Sequence, residues 1–139
     1  MESKDCCLAV MKDLQAAGRA CLELHFGGIG NLAISIFGKP ESDADSADFI
    51  RIKHIGTVVC RGPFAQKLKQ WARGQNDELI CFGNILNLMG ITAHHEGIYL
   101  HALKSGSVIL VLQGRGGSIR QGCKILEEIA LGKPVLYLA

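Results

Sequence analysis

The sequence predicts an α/β or α+β protein: one domain over residues 1–139, built on a mixed β-sheet of about five or six strands with packed helices and a C-terminal βαβ unit. Three observations carry that expectation. The run Val108-Ile109-Leu110-Val111-Leu112 is wholly apolar and too short for a core helix, so it reads as a central strand covered on both faces. The segment from Ser118 to Leu131 repeats Ile119, Cys123, Leu126 and Ala130 at helical spacing. A final apolar stretch, Val135 to Ala139, reads as a strand. Strand, helix and strand in this order predict a parallel, right-handed crossover.

The remaining elements follow from local patterns. Cys7, Val10, Met11, Leu14 and Ala17 recur at three and four residues, which predicts a first helix capped by Ser3 and ended by Gly18. Alternation of Leu22, Leu24 and Phe26 with Cys21, Glu23 and His25 predicts a half-buried strand, joined by the glycine-rich turn 27–31 to a second strand with Leu32, Ile34 and Ile36 on one face. Residues 38–48 combine Gly, Pro, Ser and Asp and predict a mobile acidic loop. Phe49 to Cys60 reads as strand. Pro63 suits the first turn of a helix whose inner face is Phe64, Leu68, Trp71 and Ala72, ending at Gly74. Asp77 to Met89 predicts another helix, weakened by Gly83 and closed by Gly90. Ile98 to Leu103 reads as a strand that Lys104-Ser105-Gly106 turns into the central one, and Gly132-Lys133-Pro134 stops the last helix.

Composition narrows the class of protein. A hydrophobic share of 48% with 20% charged residues suits a folded core, and the longest apolar run falls far short of the roughly 18 residues that span a bilayer. No basic, apolar, small-residue leader pattern opens the chain, so a cytoplasmic location and no membrane association are expected. The six cysteines have no C-x-x-C spacing and mostly sit in apolar segments, as reduced buried thiols do. Charge is unevenly spread: Glu41, Asp43, Asp45 and Asp48 contain no base among them, whereas Arg51, Lys53, Arg61, Lys67, Lys69 and Arg73 follow with no intervening acid.

The strongest chemical signature is the loop Gly114-Arg115-Gly116-Gly117-Ser118 with Arg120. Glycines between a buried strand and a helix expose the first amides of that helix, whose partial positive charge attracts an anion. Ser118 and Gln121 have the spacing of a capping box. Arg115 and Arg120 at the positive end, with Glu127 and Glu128 toward the negative end, invert the favourable charge placement unless a bound phosphate compensates. The glycines miss the third position of the dinucleotide fingerprint, where Ile119 stands, and no Lys-Ser/Thr follows as in a P-loop. Over six residues, Gln113 to Ser118, the stretch resembles the pyrophosphate-gripping loop of acyl-CoA N-acetyltransferases, with Ser118 at the last small position.

Other sites rank lower. The basic segment contains His54, Phe64 and Trp71, but the two larger aromatics lie on the apolar helix face, which disfavours a nucleic-acid partner. Cys21, Glu23 and His25, and the pair His94 and His95, have metal-ligand chemistry without a converging geometry, so no metal is assigned. Cys60 beside Arg61 is a candidate thiolate, outweighed by its place at the end of an Ile/Val strand. Three functions are therefore carried forward: a small soluble binding or regulatory domain for a phosphate-bearing small molecule such as a nucleotide or CoA-like ligand, at Gly114 to Ser118 with Arg115 and Arg120; a homo-oligomeric structural or interaction protein joined through a sheet edge or apolar helix face; and an acyl- or nucleotidyl-transferase using the same loop, with His101 or His94 as base.

Overall fold

In a computed structural model the described residues are 5–29, 32–39, 49–73, 80–91 and 96–137. They form β1 (Asp5–Met11), α1 (Leu14–Phe26), β2 (Ala33–Gly38), β3 (Phe49–Ile52), β4 (Gly56–Arg61), α2 (Pro63–Arg73), α3 (Phe82–Leu88), α4 (Glu96–Lys104), β5 (Val108–Gly114), α5 (Gly116–Glu127) and β6 (Val135–Tyr137). The predicted acidic loop lies, from residue 40 onward, outside the described residues, as do Ser3, Gly74 and Asp77.

The six strands make one sheet in the order β3-β4-β2-β5-β1-β6, and neighbouring strands are antiparallel throughout. The expected C-terminal βαβ unit is present, with one refinement. Since β5 and β6 both pair antiparallel with β1, they run parallel to each other with β1 between them. The crossover helix α5 therefore packs on β1 as well as on its own strands.

Alternation along the adjacent interior strands β5 and β1 explains the layers. Ile109 and Val111 of β5, with Cys6 and Leu8 of β1, face a core completed by Phe64 and Leu68 of α2, Ile85 and Leu86 of α3 and Tyr99 and Leu103 of α4. Leu110 and Leu112, with Cys7, Ala9 and Met11, face the opposite core under α1 and α5. Thus β5 is central and buried on both sides, as its unbroken apolar run requires.

Three predicted elements change type. The first predicted helix is instead β1 followed by α1, because Cys6 to Met11 is a continuous apolar run and Asp13 starts a new helix by accepting from the Ala16 amide at 2.8 Å. The Cys21 to Phe26 stretch is helical: Ala17, Ala20 and Leu24 form the buried face, and Leu22, Glu23 and Leu24 are strong helix formers. Ile98 to Leu103 is also helical, with Tyr99, Ala102 and Leu103 buried at spacings of three and four. Its supposed hairpin turn is a helix end, where Gly106 takes φ +85° and the Ser107 amide donates to the Ala102 carbonyl at 2.9 Å.

The expected single strand over 49–60 is a hairpin. His54 adopts φ 75° in its turn, and Ile52 faces Gly56 across the ladder. At Gly62, φ is +112° and an added Cβ would overlap the Ile34 carbonyl, so the chain can pass close to β2 only with glycine there. Immediately afterwards the Phe64 amide donates to buried Ser35 Oγ at 3.1 Å, which seats the start of α2. Phe64 and Leu68 are core residues and Trp71 packs against them, as predicted.

The cysteines depart from the expectation of six reduced, buried thiols. Cys7 of β1 and Cys123 of α5 are joined as a disulfide across a Cα separation of 6.4 Å, while Cys81 is exposed. Sequence spacing conceals this pairing because 116 residues separate the two. On the other face of the sheet, the Tyr99 and Tyr137 hydroxyls meet at 2.9 Å, tying α4 to β6. Burial, reinforced by that bond, raises the Tyr99 pKa above its usual range.

Candidate functional site

The glycine loop sits at one end of the sheet. Gly114 ends β5 opposite Asp5, Gln113 lies opposite Ala33, and α5 begins two residues later at Gly116. Arg115 is the N-cap, with extended φ −111° and ψ 140° and no side-chain capping bond. Its carbonyl accepts from the amides of Ser118 and Ile119, so the first helical turn closes directly on Arg115.

This start is earlier than a Ser118–Gln121 capping box requires. Ser118 stands third inside the helix instead of before it, because Gly116 and Gly117 are themselves helical. The predicted capping box is therefore absent. No acidic residue lies in the first turn, and the cap residue is cationic.

Arg120 follows Gly116 by four residues and Gly117 by three, hence on the same helix face. Helical side chains lean toward the N-terminus, so an arginine at this position is directed back over the two glycines. Both guanidinium-bearing residues are exposed, and a Cβ added at Gly117 would meet nothing within 4 Å. The structure thus brings Gly114, Arg115, Gly116, Gly117, Ser118 and Arg120 to one helix end.

One turn further along, Gly122 does different work. A Cβ there would approach Leu112 Cδ1 to 2.8 Å and Leu32 Cδ1 to 3.3 Å, so glycine lets α5 lie close on β5. The neighbouring Cys123 ties the same helix to β1. These two contacts fix the direction in which the α5 terminus points.

The other predicted chemistry does not converge on this end. His101 is exposed on α4, which packs on the opposite face of the sheet, so it does not supply a base to the loop; His94 lies outside the described residues. Cys21, Glu23 and His25 lie on α1, not on a strand, and among the described residues no group of three potential ligands gathers around a metal position. Burial raises the thiol pKa of Cys6 and Cys21, which opposes thiolate chemistry at either. Cys60 is fully buried beneath α2.

The basic segment is likewise divided. Arg51 and Arg61 belong to β3 and β4, whereas Lys67 and Lys69 belong to α2. Two shallow grooves run along the seam of α1 and α5, lined by Arg19, Glu128 and Ile129 together with Glu23 and Lys124 in one and Lys12 and Asp13 in the other. Their mixed charge and their position toward the C-terminal end of α5 set them apart from the glycine loop.

Sequence reasoning also missed an exposed ridge on α1. Leu22 and Phe26 are 58% and 78% exposed, although apolar alternation had assigned both to a buried strand face. Helical spacing signals the ridge once α1 is recognised, because Gly18, Leu22 and Phe26 are four residues apart.

Comparison of the chain with known protein families, with curated proteins and with solved structures found no match. Among the described residues, no helix is long and apolar enough to cross a membrane.

Proposed function

We propose that the protein is a small soluble, cytoplasmic binding or regulatory protein whose Gly114 to Ser118 loop, with Arg115 and Arg120, receives a phosphate-bearing small molecule of nucleotide or CoA-like type. The observation that carries this reading is the start of α5: two glycines as the first helical residues, a cationic cap without a side-chain capping bond, and no acid in the first turn. Backbone amides and guanidinium groups converging on one exposed helix end are the donors that a phosphate needs. A bound phosphate also offsets the cost of placing Arg115 and Arg120 at the positive end of the dipole.

Binding is tested by titrating the protein with ADP and with CoA in a calorimeter. Arg120→Glu places a carboxylate where the phosphate would bind, and the expected loss is at least about 100-fold, the scale of a charge-assisted pair replaced by repulsion. Because Arg120 is exposed, the variant should retain the wild-type circular dichroism spectrum. Equal binding by wild type and variant, or no binding of either probe by the wild type, overturns the reading.

A homo-oligomeric interaction protein is the second reading, favoured by the exposed Leu22 and Phe26 on a single helix. Transferase chemistry at the same loop has less support, since His101 lies across the sheet from it. A cytoplasmic setting makes the Cys7–Cys123 bond conditional, because that compartment keeps most thiols reduced.

A further inference from the structure

We infer that the Cys7–Cys123 bond is a redox latch: it holds the C-terminal unit of α5 and β6 against β1, and its reduction by a dithiol lets that unit open as one piece while the rest of the sheet stays folded. The latch does not depend on what the Gly114 loop binds, and its test needs no ligand.

Two features set this unit apart from the body of the protein. It is peripheral, since β6 is the outermost strand and pairs with β1 alone, over three residues. It is also lightly anchored. In α5 the only fully buried apolar side chains are Ile119 and Leu126, and no residue of β6 is fully buried, whereas Val108 to Leu112 of β5 all are. Beyond the β1 ladder, the Leu131 amide donates to the Val10 carbonyl at 2.7 Å and the Tyr137 hydroxyl meets that of Tyr99. An edge segment with little buried apolar surface is the kind of unit that opens by itself, and a covalent tie to β1 removes that freedom. With the unit open, β3-β4-β2-β5-β1 remains a continuous sheet with α1 still packed on it.

The two sulfurs differ in access. Cys7 is fully buried and Cys123 half-buried, so an incoming thiolate of the dithiol meets the Cys123 sulfur. Its attack breaks the bond, leaves a mixed disulfide on Cys123 and frees Cys7 as a thiolate, which takes up a proton. The second thiolate of the reductant then attacks the reductant's own sulfur in the mixed disulfide. Cys123 leaves as a thiolate and is protonated, the reductant closes its own disulfide, and two electrons and two protons have passed to the protein. The other cysteines are poorly placed to intercept this exchange. Cys6 and Cys60 belong to the opposite core, and burial raises the thiol pKa of Cys6 and Cys21. Reoxidation therefore returns to the same pair.

Hydrogen exchange of the full-length protein, read by mass spectrometry with and without dithiothreitol, tests the latch. Closing a loop across 116 residues stabilises the whole fold, so reduction quickens exchange everywhere, and the informative quantity is a ratio. Exchange of residues 119–127 and 135–137, taken relative to 109–112 of β5, should quicken at least about tenfold on reduction. Cys123→Ala should show the quickened ratio with or without dithiothreitol. Replacing dithiothreitol by oxidised glutathione should restore both slow exchange and the Cys7–Cys123 link in the wild type. An unchanged ratio means that the unit opens only when the whole sheet does, and it overturns the latch. A bond that dithiothreitol leaves intact in the folded protein, or reoxidation that joins other cysteines, overturns it as well.

Discussion

Two helices lie side by side on the same face of the sheet, yet their N-termini are finished differently. At α1, Asp13 accepts from the Ala16 amide at 2.8 Å, so the chain supplies its own anion to the positive end of the helix. At α5, the corresponding position is Arg115, the next two residues are glycines, and Arg120 stands on the same side one turn later. A structural helix closes its own terminus. The α5 terminus has the opposite charge pattern, the feature on which the proposed anion site rests.

Breaking the seating of α5 should have the largest effect. Gly122→Val forces a branched side chain against Leu112 Cδ1, which already lies 2.8 Å from the Cβ position, and should cost about 2 kcal/mol in urea denaturation. Removing the self-supplied anion should cost less: Asp13→Ala should destabilise by about 1 kcal/mol and leave any ADP or CoA binding unaltered. The smallest change sharpens the contrast most. Gly117→Asp gives α5 an acid in its first turn, in open space, and should stabilise the fold by about 0.5 kcal/mol while eliminating phosphate affinity. Opposite signs for stability and binding in one variant would separate an anion site from a fold defect; lower stability with intact binding would count against it.

The sequence made the C-terminal half more legible than the N-terminal half, for physical reasons. Val108 to Leu112 is apolar without interruption, which only a strand buried on both faces accommodates at that length, and α5 follows with clear helical periodicity. The run from Cys6 to Met11 carries the same information, but its apolar residues also match a helical spacing that continues into Leu14 and Ala17. Asp13 was the decisive signal, because a cap separates two elements that periodicity merges. In α1 itself the exposed Leu22 and Phe26 imitated the inner face of a strand. At α4, Gly106 in the left-handed region ended a helix where a hairpin turn was expected, since glycine serves both purposes.

For the candidate site, residue identity was legible and geometry was not. The glycines and arginines of 114–120 are visible in the sequence, but only the helix start at Gly116 shows that Ser118 is not a cap and that Arg120 shares a helix face with Gly116 and Gly117. The Cys7–Cys123 link, between strand β1 and a helix residue 116 positions later, depends on tertiary packing and has no local signature.

The most direct test of the external anion is an amide NMR titration of the wild-type protein with ADP. The account predicts that the largest shifts fall on the Gly116 and Gly117 amides, saturate with one ligand, and vanish in Arg120→Glu. Shifts centred on another segment, or no saturable shift at α5, would contradict it.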